Sequence, residues 1–274
     1  MLCRSKREAA LCFKLFSSST YIQSFSRQNE GVNVIKLKNA RVFQSAVSGI
    51  SSFIAEGNFR FNDSGLAFKA LDPSQVVLAD LKLPKELFEK FNVEPSLIGL
   101  NLQELNKVLK RVDNNSALEM NLLDSTLSLK IKSEFEKTFS LPLLDLNEEE
   151  TNEPKISNFD AEIEINAKVF QEALKDASLF GTTVVLTVKE GTFLIETSSN
   201  NGSFNINSKE HKNLKIKSKK SVTSKFSLSF LESIVREANP DSIISLKLKS
   251  ESPMKIHYEI SKATFDFYLA HMIL

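Results

Sequence analysis

The sequence predicts an α+β fold, mainly antiparallel, made of two similar units with their short helices gathered on one side of the sheets. Three observations predict it. The segment Asn39-Ala40-Arg41-Val42-Phe43-Gln44-Ser45-Ala46 recurs as Asn166-Ala167-Lys168-Val169-Phe170-Gln171-Glu172-Ala173, with six of eight positions identical at an offset of 127. Two further echoes keep nearly the same offset: Leu100–Leu105 faces Phe226–Leu231, and Phe139–Leu143 faces Phe265–Leu269. Three matches in order indicate one unit present twice. Finally, four helical patterns start near Asn39, Asn101, Asn166 and Ser227, with alternating apolar runs between them.

Each helix start carries an N-cap residue type ahead of an apolar period. Asn101 with Glu104 suggests a capping box. Gly57 and Gly181 follow the first and third helices and Pro240 follows the fourth, as helix stops. The first helix is expected to bury Phe43, Ala46, Val47, Ile50 and Ile54, and the second Leu102, Leu105, Val108, Leu109 and Val112. The third is expected to bury Phe170, Ala173, Leu174 and Ala177, and the fourth Leu231, Ile234 and Val235. Phe59–Phe61, Val76–Leu81 and Leu127–Ile131 read as strands with one buried face, as do Val184–Val188, Phe204–Ile206 and Ile244–Leu248. The acidic stretch 145–158 separates the copies as a surface linker.

Composition excludes several functions. The chain has 274 residues, enough for two domains. Its 35 Lys+Arg against 34 Asp+Glu leave a net charge of +1, so any basic surface must be segregated. Neither a Gly-rich dinucleotide fingerprint nor a P-loop motif occurs. Three histidines and two cysteines cannot build a His/Cys zinc cluster, and no cofactor is expected. Both cysteines, Cys3 and Cys12, precede the repeats, which fits a reducing compartment. No apolar run is long enough to span a bilayer, so no membrane partner is expected. The first 33 residues, rich in serine and basic residues, read as an extension outside the folded units; organelle targeting is the alternative. No catalytic constellation surrounds His211, His257 or His271. Glu148–Glu150 reads as a solvated acidic loop, and Asp63 and Asp72 as turn caps.

The opposite helix faces carry cations. Lys107, Lys110 and Arg111 share one stripe of the second helix; Arg41 with Gln44, Ser45 and Ser48 marks the first. Lys168, Gln171 and Lys175 mark the third helix, and Ser229, Ser233 and Arg236 the fourth. Glu104, Glu172, Glu232 and Glu237 on the same helices are what an ordinary solvated face carries, so these stripes alone leave both readings open.

The run Phe59–Leu81, with Leu66-Ala67-Phe68-Lys69-Ala70-Leu71-Asp72-Pro73-Ser74-Gln75-Val76 at its centre, resembles the core segment of DNA sliding clamps of the proliferating cell nuclear antigen family, especially the archaeal type. Leu102–Arg111 resembles that family's second helix. Leu141-Pro142-Leu143-Leu144-Asp145 resembles its lead into an interdomain connecting loop, and Tyr268-Leu269-Ala270 its C-terminal segment. The similarity spans residues 34–274.

The resemblance implies two clamp domains, 34–144 and 159–274, and a closed ring of three subunits with sheets outside and helices lining the hole. It implies a non-enzymatic processivity factor that encircles duplex DNA without reading sequence. Arg41, Lys107, Lys110, Arg111, Lys175 and Arg236 would contact phosphates; Gln44, Ser45 and Ser51 fall where relatives often carry lysine. Edge segments Glu136–Leu144 and Ser203–Lys209 would join subunits, with Phe139 and Leu141 near Phe204 and Ile206. Leu71, Gln75, Val76, Leu78, Pro253, Tyr268 and Ala270 match a groove that docks peptides of DNA polymerase, clamp loader, ligase and flap nuclease. Two departures stand out: Glu150-Thr151-Asn152-Glu153 replaces apolar loop residues, and His271 replaces a proline. A heterotrimeric or checkpoint-type clamp is the alternative within the fold. A metal-dependent nuclease is the alternative outside it, and the carboxylates on strand ends that it would need are not seen. The implied location is the chromosome, in an archaeal cytoplasm or a eukaryotic nucleus.

Overall fold

A computed structural model describes residues 33–113, 116–132, 134–147, 151–156 and 158–273. The first unit runs β1 (Val34–Leu37), α1 (Arg41–Ile50), β2 (Glu56–Asn62), β3 (Gly65–Leu71), β4 (Val77–Pro84), β5 (Lys90–Asn92) and β6 (Ser96–Asn101). It continues with α2 (Leu102–Leu109), β7 (Ala117–Leu122), β8 (Thr126–Lys132) and β9 (Glu136–Pro142). The second unit repeats this order: β10 (Ala161–Asn166), α3 (Ala167–Ser178), β11 (Thr183–Lys189), β12 (Thr192–Ser199), β13 (Gly202–Lys209) and β14 (Leu214–Ser218). It ends with β15 (Val222–Ser227), α4 (Leu228–Val235), β16 (Ile243–Leu248), β17 (Met254–Ile260) and β18 (Ala263–Leu269).

The sheets repeat as faithfully as the elements. The first unit contributes a five-stranded sheet, β5-β1-β7-β8-β9, and the second a four-stranded one, β13-β12-β11-β15. The remaining nine strands form one sheet, β14-β10-β16-β17-β18-β4-β3-β2-β6, which crosses from unit to unit at β18 and β4. There Phe265 pairs with Leu81, Phe267 with Ala79 and Tyr268 with Leu78, antiparallel. The helices pack in the row α2–α1–α4–α3, with α1 against α4 at the seam. Phe53, just past α1, touches Phe230 of α4 and Phe267 of β18, at ring-centroid distances of 6.2 and 6.3 Å.

The expected core residues of the helices are buried, apart from the half-buried Val108. Capping differs in detail. Asn101 Oδ1 accepts from Glu104 N at 2.9 Å, but the Glu104 carboxylate turns to Lys107 at 2.6 Å, so only half of the capping box forms. Asn166 caps α3 through Val169 N, whereas Ser227 gives α4 no side-chain cap. Asn39 makes a turn with Arg41 N instead of capping α1. Asn62, not Asp63, caps the β2–β3 turn by accepting from Ser64 N. The strand Val77–Pro84 is buried on both faces over most of its length, since it sits inside the nine-stranded sheet with helices on one side.

Gly57 is not a helix stop. It lies within β2, where only glycine fits: an added Cβ would come 2.6 Å from Cε2 of Phe68, a ring that is 1% exposed and lies tilted 5.1 Å from Phe59. The Phe68 ring cannot swing away without displacing core. Gly57→Ala is therefore expected to cost about 1–3 kcal/mol through overpacking, read as a lower midpoint in denaturant with an unchanged slope.

Candidate DNA-facing helices and peptide groove

The four helices present their outer surfaces together. Arg41 stands exposed at the start of α1, Lys110 and Arg111 at the end of α2, and Lys168 and Lys175 along α3. Lys107 is exposed but paired with Glu104. Arg236 is partly committed within the chain: its Nη2 donates to Ser48 O at 3.2 Å and its Nε lies 3.3 Å from Glu237 Oε1. Ser48 Oγ donates to the same carboxylate at 2.8 Å, so these groups stitch α1 to α4. Ser51 does not face outward. It is 8% exposed and accepts from Asn106 Nδ2 at 2.8 Å, between α1 and α2.

The opposite face of the nine-stranded sheet holds the residues expected to form a groove. Phe267 turns toward the helices, so by strand alternation Tyr268 turns away from them. Direct pairing then sets Lys255, Tyr268, Leu78 and Leu71 in one row across β17, β18, β4 and β3. Val76 O accepts from Ala270 N at 2.8 Å, so Pro253, Ala270 and Val76, each two residues along the chain from Lys255, Tyr268 and Leu78, form a second row alongside the first. Leu71 is exposed, Gln75 is exposed, and Val76, Pro253 and Ala270 are half-buried. Leu78 is 2% exposed, so it forms floor and not rim. A cleft of about 950 Å3 continues from Leu71 and Gln75 past Lys69 to Asn58, beneath Asn147 and Asn152 of the connector.

Asp72 shapes the rim, a role its turn-capping sequence only hints at. Buried at 3% exposure, its carboxylate accepts from Val76 N and Val77 N, each at 2.6 Å, from Ser74 N at 3.0 Å, and from the Ser74 hydroxyl. Those bonds hold Gln75 at a positive φ of 58° and fold the 71–77 loop over the floor.

Charge at this seam is concentrated and compensated. Asp266 and Asp80 stand directly opposite across β18 and β4. Lys255 lies 3.1 Å from Asp266, while Lys69 and Lys82 each lie 3.7 Å from Asp80. Burial pushes the Asp266 carboxyl upward, but hydrogen bonds with His257 and Lys255 outweigh it and hold the group below its usual range.

Sequence reasoning missed Glu153 as a contact. Its Oε2 accepts from the Tyr268 hydroxyl at 2.6 Å, and its Oε1 lies 3.7 Å from Lys69 Nζ. The Tyr268 hydrogen bond, helped by Lys69, Lys255 and Lys82, holds this carboxyl below its usual range against the opposing effect of burial. Glu148–Glu150 lie outside the described residues.

The proposed edge residues Phe139, Leu141, Phe204 and Ile206 lie half-buried against their own core, not free. What is open at those segments is backbone. Among the described residues, β9 and β13 end their sheets. The repeat shows what this means, because β9 corresponds to β18 and β13 to β4, the two strands that pair inside the chain. Phe180 was also missed; at the offset of 127 it is the counterpart of Phe53, the seam ring.

A duplicated α+β unit joined edge to edge, whose inner seam β4–β18 has its repeat equivalents in the end strands β13 and β9, defines a ring-forming class of protein. Family models place the chain more narrowly: the N-terminal domain of proliferating cell nuclear antigen matches residues 33–164 and its C-terminal domain residues 154–273. The chain belongs to the proliferating cell nuclear antigen family. It is 31% identical to the DNA polymerase sliding clamp of Methanococcus vannielii, over 86% of this chain and 97% of that one. It is 29% identical to that of Pyrococcus furiosus, over 86% and 96%. Among solved structures, the proliferating cell nuclear antigen of Thermococcus kodakaraensis superposes with a TM-score of 0.82 at 24% identity, over 87% of this chain and 99% of that one. The protein from Entamoeba histolytica gives 0.80 at 25%, over 88% and 98%.

Proposed function

We propose that the protein is a DNA polymerase processivity factor: a sliding clamp that closes as a ring of three copies around duplex DNA. One observation carries the reading. The seam β4–β18 is the repeat equivalent of a pairing between β13 of one copy and β9 of the next, and both of those edges are long and uncovered. The other end strands offer less: Leu144 bridges to Gly99 over β6, Met272 bridges to Lys225 over β15, and β5 and β14 are only three and five residues long. Long open edges invite pairing, and head-to-tail pairing that closes yields a ring.

On this reading the row α2–α1–α4–α3 lines the hole. Arg41, Lys107, Lys110, Arg111 and Lys175 attract phosphates without reading bases, and Arg236 contributes what its contact with Glu237 leaves. Retention comes from enclosure, so the protein acts by binding and not by catalysis. The domains divide at the connector 145–158, and residues 1–33 precede the ring. Polymerase, ligase, flap nuclease and clamp loader dock peptides in the row around Tyr268, and the protein works on the chromosome.

Replacing Lys107, Lys110 and Arg111 together by Ala should weaken DNA retention while the three-copy mass persists. Each lost phosphate contact lowers the slope of log K against log salt by about 0.9. An unaltered slope would remove these residues from the DNA surface.

A further inference from the structure

We infer that the end of the groove contains a carboxylate subsite, formed by the Tyr268 hydroxyl and Lys69, and that Glu153 of the connector fills it in the free protein. The inference rests on the groove reading above and specifies the ligand chemistry of one part of it. The subsite is built from fixed parts. Tyr268 is 7% exposed and lies in the paired core of β18, with Lys255 Nζ 5.2 Å from its ring centre. Lys69 projects from β3, and Asp80 shares it at 3.7 Å. Glu153 belongs instead to the connector, outside any strand, and reaches back to this site from a distant part of the chain.

Glu153 thus behaves as an internal ligand. An apolar plug laid on the row Tyr268–Leu78–Leu71 would bury this carboxylate, and burying a charge without its partners is unfavourable. The connector must therefore release Tyr268 before a peptide seats. Release leaves the Tyr268 hydroxyl without its acceptor and Lys69 with Asp80 as its one remaining carboxylate among the described residues. A docking peptide bearing an acidic side chain beside its plug restores both contacts, so this clamp selects acidic peptides and a neutral peptide docks at a disadvantage.

The test uses fluorescent synthetic peptides with a plug of one aliphatic and two aromatic residues. A glutamate is placed in turn at each of the three positions after the plug, and each peptide has a glutamine twin. With the full-length trimer, Glu153→Ala should bind the best acidic peptide about tenfold more tightly than wild type does, and more tightly than it binds the twin. Adding Lys69→Met should abolish the preference for the acidic peptide. If Glu153→Ala shows no preference, or binds more weakly than wild type, the subsite is wrong while the groove stands. If no peptide binds wild type or variant, the groove reading fails and the subsite with it.

Discussion

Phe180→Asp is expected to turn a three-copy ring into single folded subunits, while the same change at Phe53 destabilises the subunit itself. The two residues are repeat equivalents. Phe53 lies inside the chain between Phe230 and Phe267, at the seam that joins the two units. Phe180 sits at the matching point beside the open β13, half-buried in one subunit. At Phe53 a carboxylate loses two aromatic contacts and sets a charge in an apolar seam. At Phe180 the repeat sets it against Leu141 and Glu104, the equivalents of Phe267 and Phe230, where it loses apolar burial and meets a like charge; each change costs about 3 kcal/mol per seam. For Phe53 that penalty falls on folding and should appear as a lower Tm. For Phe180 it falls on association, weakening each contact about a hundredfold and leaving Tm of the separated subunit nearly unchanged. Analytical ultracentrifugation and thermal melting of both variants check this. A Phe180→Asp protein that keeps the wild-type mass would show that the outer seam does not copy the inner one.

Asp72→Ala is expected to be the most damaging single change in the groove. The Asp72 carboxylate satisfies three backbone N–H groups of the 71–77 loop and the Ser74 hydroxyl from a buried position. Charge-assisted bonds of this kind contribute strongly, and their loss leaves buried donors unpaired. We expect a destabilisation of about 2–4 kcal/mol and, because Gln75 and Val76 lose their frame, loss of peptide docking. Asp72→Asn keeps an acceptor and should recover part of both. Denaturant melts and peptide titrations of the two variants provide the measurement; wild-type docking by Asp72→Ala would separate the loop from the groove.

The fold was largely legible because duplication is a strong signal. Six identities in eight residues gave the repeat, and alternation gave most strands. Periodicity alone could not reveal that β4 and β18 pair, since strand partners depend on contacts far apart in sequence. That same non-locality hid the roles of Glu153, which meets Tyr268 across 115 residues, and Phe180, whose meaning appears only once Phe53 is seen at the inner seam. Gly57 misled because a glycine after a helix suggests a stop, whereas here it makes room for Phe68. Ser51 and Arg236 misled in the other direction. A helical stripe gives the face but not the neighbouring helix, and the packing of α1 on α2 and α4 draws both side chains into contacts.

The central claim is enclosure by repetition: the chain joins to its copies as its two halves join to each other. Native mass spectrometry of the full chain, with and without duplex DNA, tests it most directly. A species of three times 30.8 kDa, found both alone and with linear duplex bound, is the predicted result. A single-subunit mass at high protein concentration, with or without DNA, would contradict it.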